Sequence, residues 1–127
     1  MSIQLNHTII QAKDAEASAQ FLTEILGLPL PVAFGPFIVV KTSNGVSLDF
    51  RTTSGDIEAR HFAFLVSESE FDDIFNRILQ RQLMYWADPG RKKPQQINHN
   101  DGGRGCYFLD PNGHFLEIIT RPYGNSD

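Results

Sequence analysis

Two stretches of this chain are copies of each other. Asn44-Gly45-Val46-Ser47-Leu48-Asp49-Phe50-Arg51-Thr52 lines up with Asn112-Gly113-His114-Phe115-Leu116-Glu117-Ile118-Ile119-Thr120 at a constant offset of 68 (112 − 44). Asn, Gly, Leu and Thr recur in the pair, and Asp49 falls opposite Glu117. Closer to the N-terminus, Asn6-His7-Thr8-Ile9-Ile10 lines up with Arg60-His61-Phe62-Ala63-Phe64 at an offset of 54 (61 − 7). The same offset pairs Phe21 with Phe75 and Ile25 with Leu79. Such a repeat makes each copy one supersecondary unit and dictates the architecture before any local preference is weighed. Each copy opens with a histidine-bearing strand and closes with a carboxylate-bearing one.

Local patterns fill in the units. In the first, Ile3 to Gln11 reads as a strand with Leu5, His7 and Ile9 on one face. Asp14 is placed to cap a helix and Glu16 to meet the positive end of its dipole. Ala17, Phe21 and Ile25 form the predicted apolar stripe, and Gly27 suits the left-handed residue that ends a helix. An edge strand follows Leu28-Pro29-Leu30-Pro31-Val32, then strands over Phe37 to Val40 and Val46 to Thr52, with a turn at Ser43-Asn44-Gly45. The order is β-α-β-β-β. Thr53-Ser54-Gly55-Asp56 separates the copies.

The second unit repeats that order. Arg60 to Val66 is its first strand. Ser67-Glu68-Ser69-Glu70 is a capping box, in which hydroxyl and carboxylate satisfy helix-start amides reciprocally. Phe71, Ile74, Phe75, Ile78 and Leu79 give a helical stripe. Strands follow at Met84 to Trp86 and Cys106 to Leu109. Asp110-Pro111-Asn112-Gly113 is a tight turn, and His114 directly after it is expected to be exposed. The offset widens from 54 to 68 within this unit, so it carries an insertion of 14 (68 − 54), most naturally in Asp88 to Gly105. A loop that long is often functional, and it holds Arg91, Lys92, Lys93, Asn98, His99, Asn100 and Arg104. Gly102, Gly103 and Gly105 would let it close over a substrate.

Composition excludes several classes of function. With 127 residues there is room for one compact domain, module 1 spanning 3–53 and module 2 spanning 59–121. The net charge of −4 and the lack of a basic cluster argue against nucleic acid. A single cysteine, Cys106, rules out an internal disulfide and suits a reducing compartment; in its strand it reads as a small buried hydrophobe. No apolar run approaches membrane-spanning length, and Met1-Ser2-Ile3-Gln4 lacks a signal pattern, so a cytoplasmic location is expected with no membrane partner.

The chemistry resides in four polar side chains. Glu117 shares a strand face with Phe115 and Ile119, and a carboxylate among apolar neighbours needs a partner. By the repeat, His7, Asp49, His61 and Glu117 occupy the faces turned away from the helices. Two imidazoles and a carboxylate converging make a set that holds a divalent ion with open positions for water and substrate. Isolated buried polar residues satisfied by hydrogen bonds are the alternative, but the repeat-related placement of all four favours a metal.

These residues carry a resemblance. From Leu5-Asn6-His7 through Tyr107-Phe108-Leu109-Asp110-Pro111-Asn112-Gly113-His114-Phe115-Leu116-Glu117 the chain is similar to the vicinal oxygen chelate superfamily, which includes glyoxalase I, fosfomycin-resistance enzymes, extradiol dioxygenases and bleomycin-resistance proteins. The resemblance implies an α+β fold in which two βαβββ modules form a curved eight-stranded half-barrel. It implies one divalent metal ion (nickel, zinc, manganese or iron(II)) held by His7, His61 and Glu117. Asp49 stands where glyoxalase I has a fourth ligand; it either takes that role or pairs with Arg51. The leading expectation is a glyoxalase I-like lyase or isomerase in which Glu117 or Asp49 moves a proton beside a coordinated carbonyl. Alternatives are an extradiol-dioxygenase or fosfomycin-resistance type of enzyme, or a metal-free bleomycin-resistance-like binding protein. The expected partners are a small, anionic or strongly polar substrate and a second copy of the chain in a homodimer. Arg51, Trp86, Asn98, His99 and Arg104 are the candidate substrate contacts.

Overall fold

The computed structural model describes residues 2–124. It divides into two compact units, Met1–Glu58 and Ala59–Asp127, each containing one copy of the repeat. Among the described residues no helix is long and apolar enough to cross a membrane.

In the first unit β1 (His7–Ala12), α1 (Ala15–Leu26), β2 (Val32–Phe34), β3 (Phe37–Lys41) and β4 (Ser47–Thr52) follow in the expected order. The strands form one sheet, β1-β4-β3-β2. β1 and β4 run parallel, with Ile9 level with Asp49; β3 runs antiparallel to β4, with Val39 level with Asp49. The Asp14 side chain accepts from the Ala17 amide, and Gly27 ends the helix at φ 72°. The buried stripe is rotated from the one predicted. Ala15, Ser18, Ala19, Leu22 and Ile25 face inward, Ala17 is exposed and Phe21 is half-buried. Small residues at 15, 18 and 19 let the helix lie close to Ile10, Leu48 and Phe50 of the core. The large Phe21 takes the margin.

The second unit contains β5 (His61–Leu65), α2 (Glu68–Gln80), β6 (Tyr85–Trp86), β7 (Gly105–Leu109) and β8 (Phe115–Ile119). Its sheet order is β5-β8-β7-β6, the same path as in the first. The capping box is present, with Ser67 and Glu70 exchanging bonds. Phe71, Ile74 and Ile78 are buried and Phe75 half-buried, whereas Leu79 at the edge of the predicted stripe is 46% exposed.

Two expectations about the turn and the loop change. His114 is buried, at 1% exposure, and its Nδ1 accepts from the Arg60 amide at 3.0 Å. Strand alternation puts it in phase with Leu116 and Ile118, so it joins the core face and anchors the entry to β5. The stretch Asp88 to Gly105 is stitched to its own unit. The Asp88 carboxylate accepts from the Lys92 and Lys93 amides. Asn98 donates to the Ala87 carbonyl at 2.8 Å and exchanges backbone bonds with Gly105.

Candidate metal centre

The second unit gathers a connected polar group on one face of its sheet. Glu117 on β8 is level with Ala63 on β5 and with Tyr107 on β7. His61 lies two residues before Ala63, on the same face, and its Nε2 meets Glu117 Oε1 at 3.0 Å. The other nitrogen, Nδ1, lies 3.1 Å from the Phe115 carbonyl oxygen. A carbonyl only accepts, so Nδ1 carries a proton and donates it. In a neutral ring Nε2 then presents a lone pair to a carboxylate oxygen. Two lone pairs face each other stably only with a proton or a metal ion between them.

The remaining carboxylate oxygen is also occupied. Tyr123, in the segment after β8, donates to Glu117 Oε2. Tyr107 Oη lies 3.0 Å from Tyr123 Oη. Since Tyr123 gives its proton to Glu117, Tyr107 donates to Tyr123. Burial first, and then this bond, push the Tyr107 phenol far above its usual range. Burial followed by the Glu117 bond raises that of Tyr123, so both stay protonated donors. Glu117 itself is 1% exposed.

Aromatic rings line the same region. Tyr107 stacks on Phe115 with centroids 5.2 Å apart, and its ring also lies 6.0 Å from His61. Trp86 meets the Phe115 ring at 6.2 Å. The Arg91 guanidinium lies over both Trp86 and Phe115, at 5.9 and 5.8 Å.

The first unit presents a sparser arrangement. His7 is exposed and its Nδ1 lies 2.8 Å from the neighbouring Asn6 Oδ1. Asp49 is half-buried, and its Oδ1 is a buried atom with no hydrogen-bond partner. No hydrogen bond or ion pair links His7 to Asp49 among the described residues. The Arg51 guanidinium carbon lies 6.0 Å from the Phe37 ring centroid. Within each unit, no three His, Cys, Asp or Glu side chains of the described residues gather into one group.

The other candidates divide. Trp86 joins the aromatic group and His99 is exposed. Arg104 directs its guanidinium to Glu68 and Asp72 of α2, both at 2.8 Å, over the Phe71 ring. Asn98 is half-buried and hydrogen-bonds Ala87. Cys106 is fully buried, and burial, then the nearby Glu117 charge, push its thiol up to about 12, which leaves it inert. Sequence reading missed Tyr123 and Tyr107 as members of the group, although it placed Phe115 on the Glu117 face. The turn at 110–113 signals that Tyr107 comes level with Glu117, but no periodicity reaches Tyr123.

Known proteins share this architecture. Over all of both chains, this protein is 59% identical to the solved structure of "Oxidase ChaP-H2", with a TM-score of 0.97. It is 59% identical to "Oxidase ChaP-H1", covering 98% of this chain and 100% of that one, with a TM-score of 0.96. It is 28% identical over 127 residues to "Metallothiol transferase FosB" of Lysinibacillus sphaericus, covering 94% of this chain and 84% of that protein. A family profile matches residues 4–118, nearly the whole length. The chain belongs to the glyoxalase/bleomycin resistance protein/dioxygenase superfamily.

Proposed function

We propose that this protein is a metal-dependent oxidase acting on a small substrate that offers adjacent oxygens to one divalent ion, with dioxygen as the electron acceptor. One observation carries the reaction class: the 59% identity along the whole chain to two proteins named as oxidases. It moves the leading reading from lyase or isomerase chemistry to oxidation. Extradiol-type oxygen chemistry, already among the alternatives, lies nearer to it.

The residues fit a divalent ion. A buried carboxylate needs a compensating charge. Glu117 Oε1 and His61 Nε2 present donors 3.0 Å apart, close to the roughly 3 Å between neighbouring donors that each lie about 2.1 Å from an octahedral ion. The Nδ1 bond to Phe115 fixes the ring in the tautomer a ligand requires. His7 and Asp49 are the repeat-related counterparts of His61 and Glu117 in the first unit, and the orphaned Asp49 Oδ1 is what an unfilled donor would look like. Imidazole and carboxylate donors suit iron(II), manganese, nickel and zinc. Bound there, a redox-active ion would polarise the substrate oxygens and pass electrons toward dioxygen.

The chain's own groups prepare the site. Trp86, Tyr107 and Phe115 form an aromatic cluster beside buried Glu117 that lowers the dielectric around its carboxylate and strengthens charge interactions there, while His61 stays open to solvent. Arg91, over Trp86 and Phe115, supplies positive charge for an anionic substrate. We propose a homodimer as well, supported by β2, an edge strand whose Val32 and Phe34 are 65% and 74% exposed. Sedimentation as a monomer at micromolar concentration would contradict it.

The deciding test loads the purified chain anaerobically with iron(II), manganese, nickel or zinc. Each form is then supplied with catechols, enediols and a 2-oxoaldehyde–thiol adduct. The expected result is oxygen uptake, read at an electrode, with a redox-active ion only. Oxygen-independent isomerisation of the adduct by the nickel or zinc form would restore the lyase reading instead.

A further inference from the structure

Glu117 and Asp49 are repeat-related carboxylates, yet only Glu117 has both oxygens engaged. The extra partner is Tyr123, which stands to Gly55 in the register of the repeat as Glu117 stands to Asp49. Gly55 has no side chain, and the space around its Cβ position is open. Nothing at that position can therefore serve Asp49. Tyr123 is 59% exposed, so its ring is no pillar of the core, although its hydroxyl reaches a fully buried carboxylate. Tyr107, 4% exposed and held on β7, donates to that hydroxyl. One lone pair of Tyr123 is thereby occupied, and its single proton is directed to Glu117.

We infer that Tyr123 is a positioning residue for Glu117, holding Oε2 so that Oε1 alone, beside His61 Nε2, is presented to a divalent ion. The inference rests on the reading of Glu117 as a metal ligand and adds how that ligand is aimed. A carboxylate can bind through one oxygen or both, and it swings about its last torsion unless held. A donor locked on Oε2 removes both freedoms. Tyr107 has a secondary part, aiming Tyr123.

Tyr123→Phe tests this, since it deletes one hydroxyl and keeps the ring. Cobalt(II), a spectroscopically visible divalent ion, is titrated into the metal-free chain against a competing chelator. The wild-type chain is expected to take up one ion, and Glu117→Gln to lose it. Tyr123→Phe should bind cobalt about tenfold or more weakly, in the range typical for loss of an outer-shell partner, with altered visible absorption and an unchanged circular dichroism spectrum. Tyr107→Phe should weaken binding less. Equal affinity and an identical absorption spectrum in Tyr123→Phe would overturn the inference while leaving the ligand reading intact. So would a loss in Tyr107→Phe as large as that in Tyr123→Phe. A wild-type chain that takes up no cobalt, or a Glu117→Gln chain that binds as well as wild type, would overturn the ligand reading and this inference with it.

Discussion

Asp49 stands level with Ile9 on β1 and Val39 on β3; Glu117 stands level with Ala63 on β5 and Tyr107 on β7. Val39 and Tyr107 are themselves equivalent in the repeat, separated by the same offset as the two carboxylates. The backbone has thus put both carboxylates in the same register, and the neighbouring side chains have treated them differently. Valine has nothing to donate, so Asp49 keeps an unpartnered buried oxygen. Tyrosine carries a hydroxyl and, through Tyr123, completes the set around Glu117. The histidines divide the same way: His61 is fixed by a strand carbonyl, while His7 contacts an adjacent side chain. Copying a backbone conserves positions, but the strength of a site depends on which neighbours can hydrogen-bond.

The largest expected effect is on metal affinity. His61→Ala and Glu117→Ala should each weaken binding by more than the ~10–100-fold that follows loss of an outer-shell partner, measured by competition titration. His7→Ala sharpens the contrast. If it retains one tightly held ion per chain, the two histidines are unequal and the second unit holds the ion without His7.

Stability of the metal-free chain should separate the carboxylates by sign. Glu117→Met strands the groups that meet it, His61 and Tyr123, and should cost about 1–3 kcal/mol in urea unfolding. Asp49→Met removes an unsatisfied buried oxygen and should stabilise by up to about 1 kcal/mol. Destabilisation by both would show that Asp49 has an undetected partner and would break the comparison.

Backbone packing gives a further contrast between the units. A Cβ at Gly103 would lie 2.5 Å from Thr120 Oγ1 and 2.7 Å from Arg121 Cγ. Gly103→Ala should therefore destabilise by about 1–3 kcal/mol, as overpacking does, whereas Gly55→Ala, in open space, should stay within about 0.5 kcal/mol. A mild Gly103→Ala would show that the end of the loop yields easily.

The smallest effect is on pH dependence, and it belongs to α2. The Thr120 hydroxyl, then Arg104, hold Glu68 below its ordinary 4.5. The Ser67 amide, then its hydroxyl, do the same for Glu70. Carboxylates depressed on folding stabilise fully above 4.5 and lose that contribution as pH falls through their lowered values. Melting temperature should decline below pH 4.5, and Glu70→Gln should flatten part of the decline. An unaltered slope in that variant would assign the acid sensitivity elsewhere.

The strand and helix order, the repeat, the capping box and the shared faces of His61 and Glu117 were all readable from residue spacing, because periods of 2 and 3.6 are local properties of the backbone. The same alternation contained the burial of His114, in step with Leu116 and Ile118, though the neighbouring turn suggested a surface position. The inward face of α1 was harder to read, since Ser18 and Ala19 gain their places by letting the helix approach the sheet closely. Only the tertiary structure assigned Arg104 to Glu68 and Asp72, which come far earlier in the chain. It alone brought Tyr123 back to Glu117. Charge and polarity mark such side chains as needing partners, but the partners are chosen by where the packed strands and helix leave a donor within about 3 Å of an acceptor, and no local period encodes that distance.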